Sequence, residues 1–134
     1  MKRFAAVLLL LALAAWAAEA TLAYDPGVRL PAGAEELDMS ACPVPRGFWE
    51  PLEAKGWVSR CYFASGDPFV LEKALALALE RAGYRRGVRE EQKLAAADRF
   101  VLEQWTAEGR ELFVEYFLFS GKNAAVYLIA HPPH

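Results

Sequence analysis

Three glutamates, Glu103, Glu111 and Glu115, are the side chains whose type and spacing best suit acid–base chemistry. Folded as an antiparallel hairpin, the segment would set Glu103 diagonal to the other two, within reach of long side chains. Beside Trp105 and Phe113, one carboxyl would lose water, hold its proton to higher pH and serve as a general acid. That is what a small hydrolase built on Glu103 and Glu115 would require. The competing role is structural, with the glutamates lining the wetted rim of a half-covered sheet. Position alone does not make a catalytic pair, so the structural role is the expectation.

Other chemistries find less support. Ser40, Ser59, Ser65 and Ser120 carry no nucleophile-elbow motif and have no histidine near them in sequence. His131 and His134 end the chain as His-Pro-Pro-His, which reads as a tail without function rather than a metal site, since no third ligand is suggested. No glycine-rich phosphate loop, dinucleotide fingerprint or zinc-finger spacing occurs. The sequence therefore assigns no catalytic residue, no metal ligand and no cofactor. With 15 Lys+Arg against 17 Asp+Glu, it gives no reason to expect nucleic-acid binding. Arg81, Arg85, Arg86, Arg89 and Lys93 form one basic cluster. Glu80, Glu90 and Glu91 are interleaved with it, the pattern of a self-compensated solvated face.

The chain of 134 residues has room for one domain with a modest core. Residues 1–20 read as a secretory signal peptide: Met1-Lys2-Arg3, then an uncharged apolar run from Phe4 to Ala18, then Ala18-Glu19-Ala20, with cleavage expected before Thr21. The run is too short for a membrane anchor, and no stable span is expected after cleavage. Met39-Ser40-Ala41-Cys42 resembles an acylation site, but Glu35, Glu36 and Asp38 separate it from the apolar segment and argue against lipidation. The chain is thus expected to be exported, periplasmic or extracellular. In an oxidising compartment Cys42 and Cys61, the only cysteines, should pair as a disulfide. One Asn and two Gln in the whole chain fit a thermophile or a GC-rich bacterial genome.

Residues 21–56 are rich in Pro and Gly and read as an extended arm, with one short helix near Glu50–Lys55 begun by Pro51 and stopped by Gly56. Residues 57–134 read as an α+β core. A first strand covers Trp57–Ala64. Asp67 then caps a helix that starts at Pro68, buries Leu71, Leu75 and Leu79, and stops at Gly83. A short edge strand at Tyr84–Arg89 and a weak second helix at Glu90–Ala97 are expected next, followed by strands near Arg99–Thr106, Arg110–Phe119 and Ala124–His131. The expected fold is strand–helix–meander: one main helix on an antiparallel sheet of about four strands, with a disulfide-stapled arm.

If the hairpins close at Thr106/Arg110 and Phe119/Ala124, alternation sorts the residues into two faces. One carries Phe100, Leu102, Leu112, Val114, Tyr116, Leu118, Ala125, Tyr127 and Ile129, and belongs under the helix. The other mixes Val101, Trp105, Phe113, Phe117, Phe119, Val126 and Leu128 with Glu103, Glu111 and Glu115. Left in water, its aromatic rings would make a patch larger than soluble monomers usually tolerate. Cover by the arm, with Trp49 and Trp57, or by the weak second helix is the first expectation. A protein partner or a homodimer through this aromatic face is the second. From this follows the leading functional expectation, a small exported, non-enzymatic binding or accessory protein of the bacterial envelope. Its expected binding set is Trp105, Phe113, Phe117, Phe119, Glu103 and Glu115. An apolar-ligand carrier, with a pocket lined by Leu75, Leu79, Tyr116 and Tyr127, is the alternative, and the hydrolase is third.

Overall fold

A computed structural model describes residues 20–94 and 97–133. The expected signal peptide falls, apart from Ala20, outside the described residues, as does His134. The described chain forms one antiparallel sheet of six strands, in the order β1-β2-β6-β5-β4-β3, with one substantial helix. The strands are β1 (Glu35–Leu37), β2 (Val58–Ser65), β3 (Arg85–Leu94), β4 (Ala97–Ala107), β5 (Arg110–Phe119) and β6 (Ala124–His131). The helices are α1 (Glu50–Ala54) and α2 (Pro68–Arg81). Strand β2 leads into α2, which carries the chain to the far edge. The meander β3-β4-β5-β6 then returns until β6 lies beside β2.

Helix α2 begins as its sequence dictates. The Asp67 side chain accepts a hydrogen bond from the Phe69 N–H at 2.9 Å, and Pro68 takes the first turn, where no N–H is needed. Leu71, Leu75 and Leu79 face the sheet, each contributing about 1.5–3 kcal/mol through burial. Gly83 at φ 95° ends the helix in a left-handed step that a side chain would resist.

Two of the six strands differ from expectation. β1 belongs to the arm, where Glu36 pairs with Tyr62 of β2. β3 runs extended to Leu94, so the helix expected at Glu90–Ala97 is absent over Glu90–Leu94. Glu, Gln and Lys favour helix, but that preference is a few tenths of a kcal/mol per residue. Pairing with β4 (Glu90 with Leu102, Glu91 with Val101, Gln92 with Phe100) outweighs it. Arg99 adds an ion pair to Glu91 at 2.6 Å.

The faces of β4 are also exchanged. The first hairpin closes at Ala107/Arg110 around Glu108-Gly109, with Gly109 at φ 72°, not at Thr106/Arg110. One residue of slip inverts a whole strand. Val101, Glu103 and Trp105 therefore lie under α2 with Leu112, Val114, Tyr116, Ala125, Tyr127 and Ile129, while Phe100 and Leu102 move to the opposite face. The second hairpin does close at Phe119/Ala124.

That opposite face is covered by the chain itself. The segment 38–57, tied to β2 by the Cys42–Cys61 disulfide, lays Val44, Phe48 and Trp49 over Phe100, Phe117, Val126 and Leu128. Strand β6 lies centrally with both faces covered, and every one of its residues is buried. This explains why its sequence is a continuous apolar run rather than an alternating one.

Candidate functional site

The sheet separates the residues singled out from sequence. Glu103 and Trp105 lie on the α2 side, whereas Phe113, Glu115, Phe117 and Phe119 lie beneath the flap. Opposite Glu103 on β5 is Val114, so Glu103 and Glu115 project to opposite faces. They are not brought together in a cleft, and a hydrolase using both has no geometric basis. Glu111 accepts from the Gln104 amide at 2.8 Å.

Each residue has a local role. Glu103, 1% exposed, pairs with Arg86 at 2.8 Å and Arg89 at 3.3 Å and accepts from the Trp105 indole N–H at 3.2 Å. Arg89 also reaches Glu72 of α2 at 2.8 Å. The basic cluster is thus partly turned inward, onto a buried carboxylate. On the flap side, Phe48, Phe100 and Phe117 pack ring on ring, with centroids 4.9–5.3 Å apart. Glu115 is 6% exposed there, its Oε2 has no hydrogen-bond partner, and burial pushes its pKa up to about 8. Phe113 is half-buried against Trp57, and Phe119 is half-buried beside Lys122. Pro43, Pro45, Phe63 and Phe119 border a groove of about 210 Å³.

The space between α2 and the sheet is filled. Leu75, Leu79, Tyr116 and Tyr127 have no measurable exposure and belong to one cluster. The Tyr127 hydroxyl donates to the Leu71 carbonyl at 2.9 Å across the interface. An apolar carrier cavity at those four residues finds no support.

The most distinctive polar arrangement sits at one end of the α2-side face. It is built from three distant segments. Strand parity puts Arg60 of β2, Arg110 of β5 and His131 of β6 on that face, continuing the rows of Tyr62, Leu112 and Ile129. The arm supplies Tyr24 and Asp25 through a turn in which Asp25 Oδ1 accepts from the Gly27 N–H at 3.0 Å. Asp25 Oδ2 also accepts from the Tyr84 hydroxyl at 2.9 Å and from Arg110 at 2.5 Å, fixing the arm to the end of α2 and to β5. Tyr24 stacks on the His131 ring at 4.0 Å.

Between these groups lies a cleft of about 400 Å³ lined by Ala23, Tyr24, Arg60, Gly109, Arg110, His131 and Pro133. Three buried polar atoms of its lining residues have no hydrogen-bond partner: the Tyr24 hydroxyl, Arg60 Nε and His131 Nε2. Buried polar atoms are nearly always paired, and each unpaired one costs about 1–3 kcal/mol. The His131 pKa is held below its ordinary value by burial and by the positive charge of Arg60. Among the described residues, no group of His, Cys, Asp and Glu comes together as a metal site.

Sequence reasoning missed this cluster. One signal was present: His131 continues the row Ala125, Tyr127, Ile129, which places it inside a strand rather than in a tail. The contribution of Tyr24 and Asp25 had no such signal, because nothing in the arm's pattern specifies where it docks. In comparisons with known proteins, no family model, no curated protein and no solved structure matches this chain.

Proposed function

We propose that the chain is a small exported, non-enzymatic binding protein of the bacterial envelope that captures a small polar solute in the cleft between Tyr24, Arg60, Arg110 and His131. The observation that carries this reading is one cleft that gathers two guanidinium groups, a tyrosine and a histidine in its lining. Binding sites are concave and place a few polar groups to fix orientation, which this end of the sheet does. The Cys42–Cys61 bond and the amino-terminal sequence pattern support export. Among the described residues no helix is long and apolar enough to cross a membrane. The lining offers donors and an imidazole but no Ser, Thr, Cys or carboxylate, which supports binding over covalent catalysis.

Two measurements test the reading. The exported protein should begin at Thr21 when its amino terminus is sequenced. A thermal-shift screen of small polar solutes should give saturable stabilisation in the wild type, reduced in Arg60→Met. A screen with no such response removes the binding reading.

A second reading, a second copy of the chain docked on the aromatic face, is favoured by Phe113 and Phe119 remaining only half-buried. Light scattering on the wild type and on Phe119→Ser decides it. A wild-type dimer that becomes a monomer supports this reading, and a monomeric wild type ends it.

A further inference from the structure

We infer that the flap is a proton-operated cover: it lies closed while the Glu115 carboxyl is protonated and lifts from the sheet, with the disulfide still joined, when that carboxyl ionises. Glu115 stands in a cross-strand row between Leu102 and Leu128, with Cys61 next beyond Leu128. Its strand neighbours on that face, Phe113 and Phe117, each lie against a flap ring. The Trp57 and Phe113 centroids are 5.3 Å apart, as are those of Phe48 and Phe117. The flap thus closes over the carboxyl from both sides. It is pinned at Cys42 by the disulfide and at its other end by the start of β2, which leaves residues 43–57 as the part that can lift.

The closed position strands polar groups. Besides Glu115 Oε2, the Trp49 indole nitrogen and the Ser59 hydroxyl, which shares the Cys61 face by strand parity, are buried without hydrogen-bond partners. Lifting the flap gives all three to water, which is what a buried polar atom lacks. The flap has little structure of its own to resist, since α1 has five residues and a helix that short depends on docking. No charge on this side compensates an ionised Glu115. On the sheet, Glu90 lies beyond Leu102, Arg85 beside Thr106 and Glu35 beside Phe63, while Glu111 is bonded to Gln104. Lys122 lies over Phe119, and β6 brings only apolar residues to the row. In the flap, Arg46 turns to Glu50, Asp38 is bonded to Ser40, and Glu53 and Lys55 are exposed. Burial alone raises the Glu115 pKa to about 8, and hydration under a lifted flap returns it toward 4.5. The closed form therefore keeps a proton that the open form releases. Between those values, rising pH favours opening by about tenfold per pH unit, levelling off above about 8.

Amide hydrogen exchange of the disulfide-bonded protein, read by NMR at pH 5.5, 6.5, 7.5 and 8.5 and corrected for the base-catalysed intrinsic rate, tests this. The Leu52 and Glu53 N–H groups, bonded to the Trp49 carbonyl, report the flap, and the amides of β6 report the sheet. Opening at Leu52 and Glu53 should rise about tenfold per pH unit up to pH 7.5 and flatten by pH 8.5. The β6 amides should stay at least about a hundredfold better protected, because the sheet remains folded under the lifted flap. In Glu115→Gln, which cannot ionise, opening of the flap should be the same at every pH. Should that variant fail to fold, Glu115→Leu carries the same comparison. The inference is overturned by wild-type flap amides whose opening ignores pH, or by a pH response that survives in the variant. It is equally overturned if the flap amides exchange only together with those of β6, since the cover would then leave only when the whole chain unfolds.

Discussion

Two glutamates are buried on neighbouring strands, facing away from each other, and their surroundings differ in kind. Glu103, under α2, has two arginines and an indole N–H. Glu115, under the flap, sits on a face of Leu and Phe side chains, and its Oε2 has no partner. The difference comes from the covering elements. Strand β3 brings Arg86 and Arg89 to the α2 side. The flap brings Val44, Phe48 and Trp49, and its one arginine, Arg46, lies over the Trp49 ring and toward Glu50. What makes a buried carboxylate costly is isolation rather than burial itself, because partners replace the water that burial removes.

Removing the partnered carboxylate should have the largest effect. Glu103→Ala leaves the Trp105 indole without its acceptor and deprives Arg86 and Arg89 of their shared anion. A loss of about 3 kcal/mol is expected, the low end for a broken buried pair because both arginines are partly exposed and can regain water. Glu103→Gln, which can still accept from the indole, should lose about half as much. Urea denaturation at pH 7 measures both. Equal losses would show that the charge contributes little beyond the hydrogen bond.

Opening the flap comes next. Replacing Cys42 and Cys61 together by Ser releases the loop constraint and should cost up to about 3 kcal/mol. It should also act on one face only. Binding of a hydrophobic dye should rise as Phe100 and Phe117 become reachable, while the Glu103 contacts persist. A dye response without any change in the pH dependence carried by Glu115 would break the link drawn between cover and isolation.

Removing the isolated carboxylate should stabilise the fold, where removing its partnered neighbour destabilises it. Glu115 holds its proton up to about pH 8 in the folded chain, whereas the unfolded chain releases it near pH 4.5. Between those values the folded state binds the extra proton, so this group's contribution to stability falls as pH rises and levels off above about 8. Glu115→Gln should therefore be close to neutral at pH 4.5 and stabilising by roughly 2 kcal/mol at pH 8.5, part of the linkage being offset by the amide's own burial. Thermal unfolding of both proteins across that range gives the answer. A pH-independent difference would mean that Glu115 is solvated or partnered after all.

How much of this was legible in the sequence depends on how local each cause is. Helix α2 announced itself through Asp67, Pro68 and Gly83, and the disulfide through there being only two cysteines in a chain whose first residues read as an export signal. The six-strand sheet was less legible. β3 is written in helix-forming residues and is held extended by β4, a partner that no local window shows. The β4 inversion turned on one residue at Glu108-Gly109, since a strand's two faces differ only in parity. Glu103 was singled out as an acid–base candidate and placed on the face of Glu115, whereas the register sets the two on opposite faces. The sheet-end cleft was the least legible, because Tyr24, Arg60 and His131 meet only after the sheet has formed and the arm has docked.

A third buried carboxylate sharpens the comparison with the smallest expected effect. Asp25 has three donors, the Gly27 N–H, the Tyr84 hydroxyl and Arg110. If partner number sets the cost of burial, losing one donor of three should be tolerated well. Tyr84→Phe keeps the ring beneath the Arg110 guanidinium and removes only the hydroxyl. About 1.5 kcal/mol should be lost, the low end for one hydrogen bond to a charged group, because Asp25 keeps its other partners. The Tyr84 hydroxyl itself stays protonated far into the alkaline range, because burial and the Asp25 charge both oppose its ionisation. The loss should consequently be the same at pH 6 and pH 9, in contrast to Glu115. A loss as large as that of Glu103→Ala would show instead that the arm docks through this single bond. The donors of Asp25 would then not be interchangeable, and the ranking by partner number would fail.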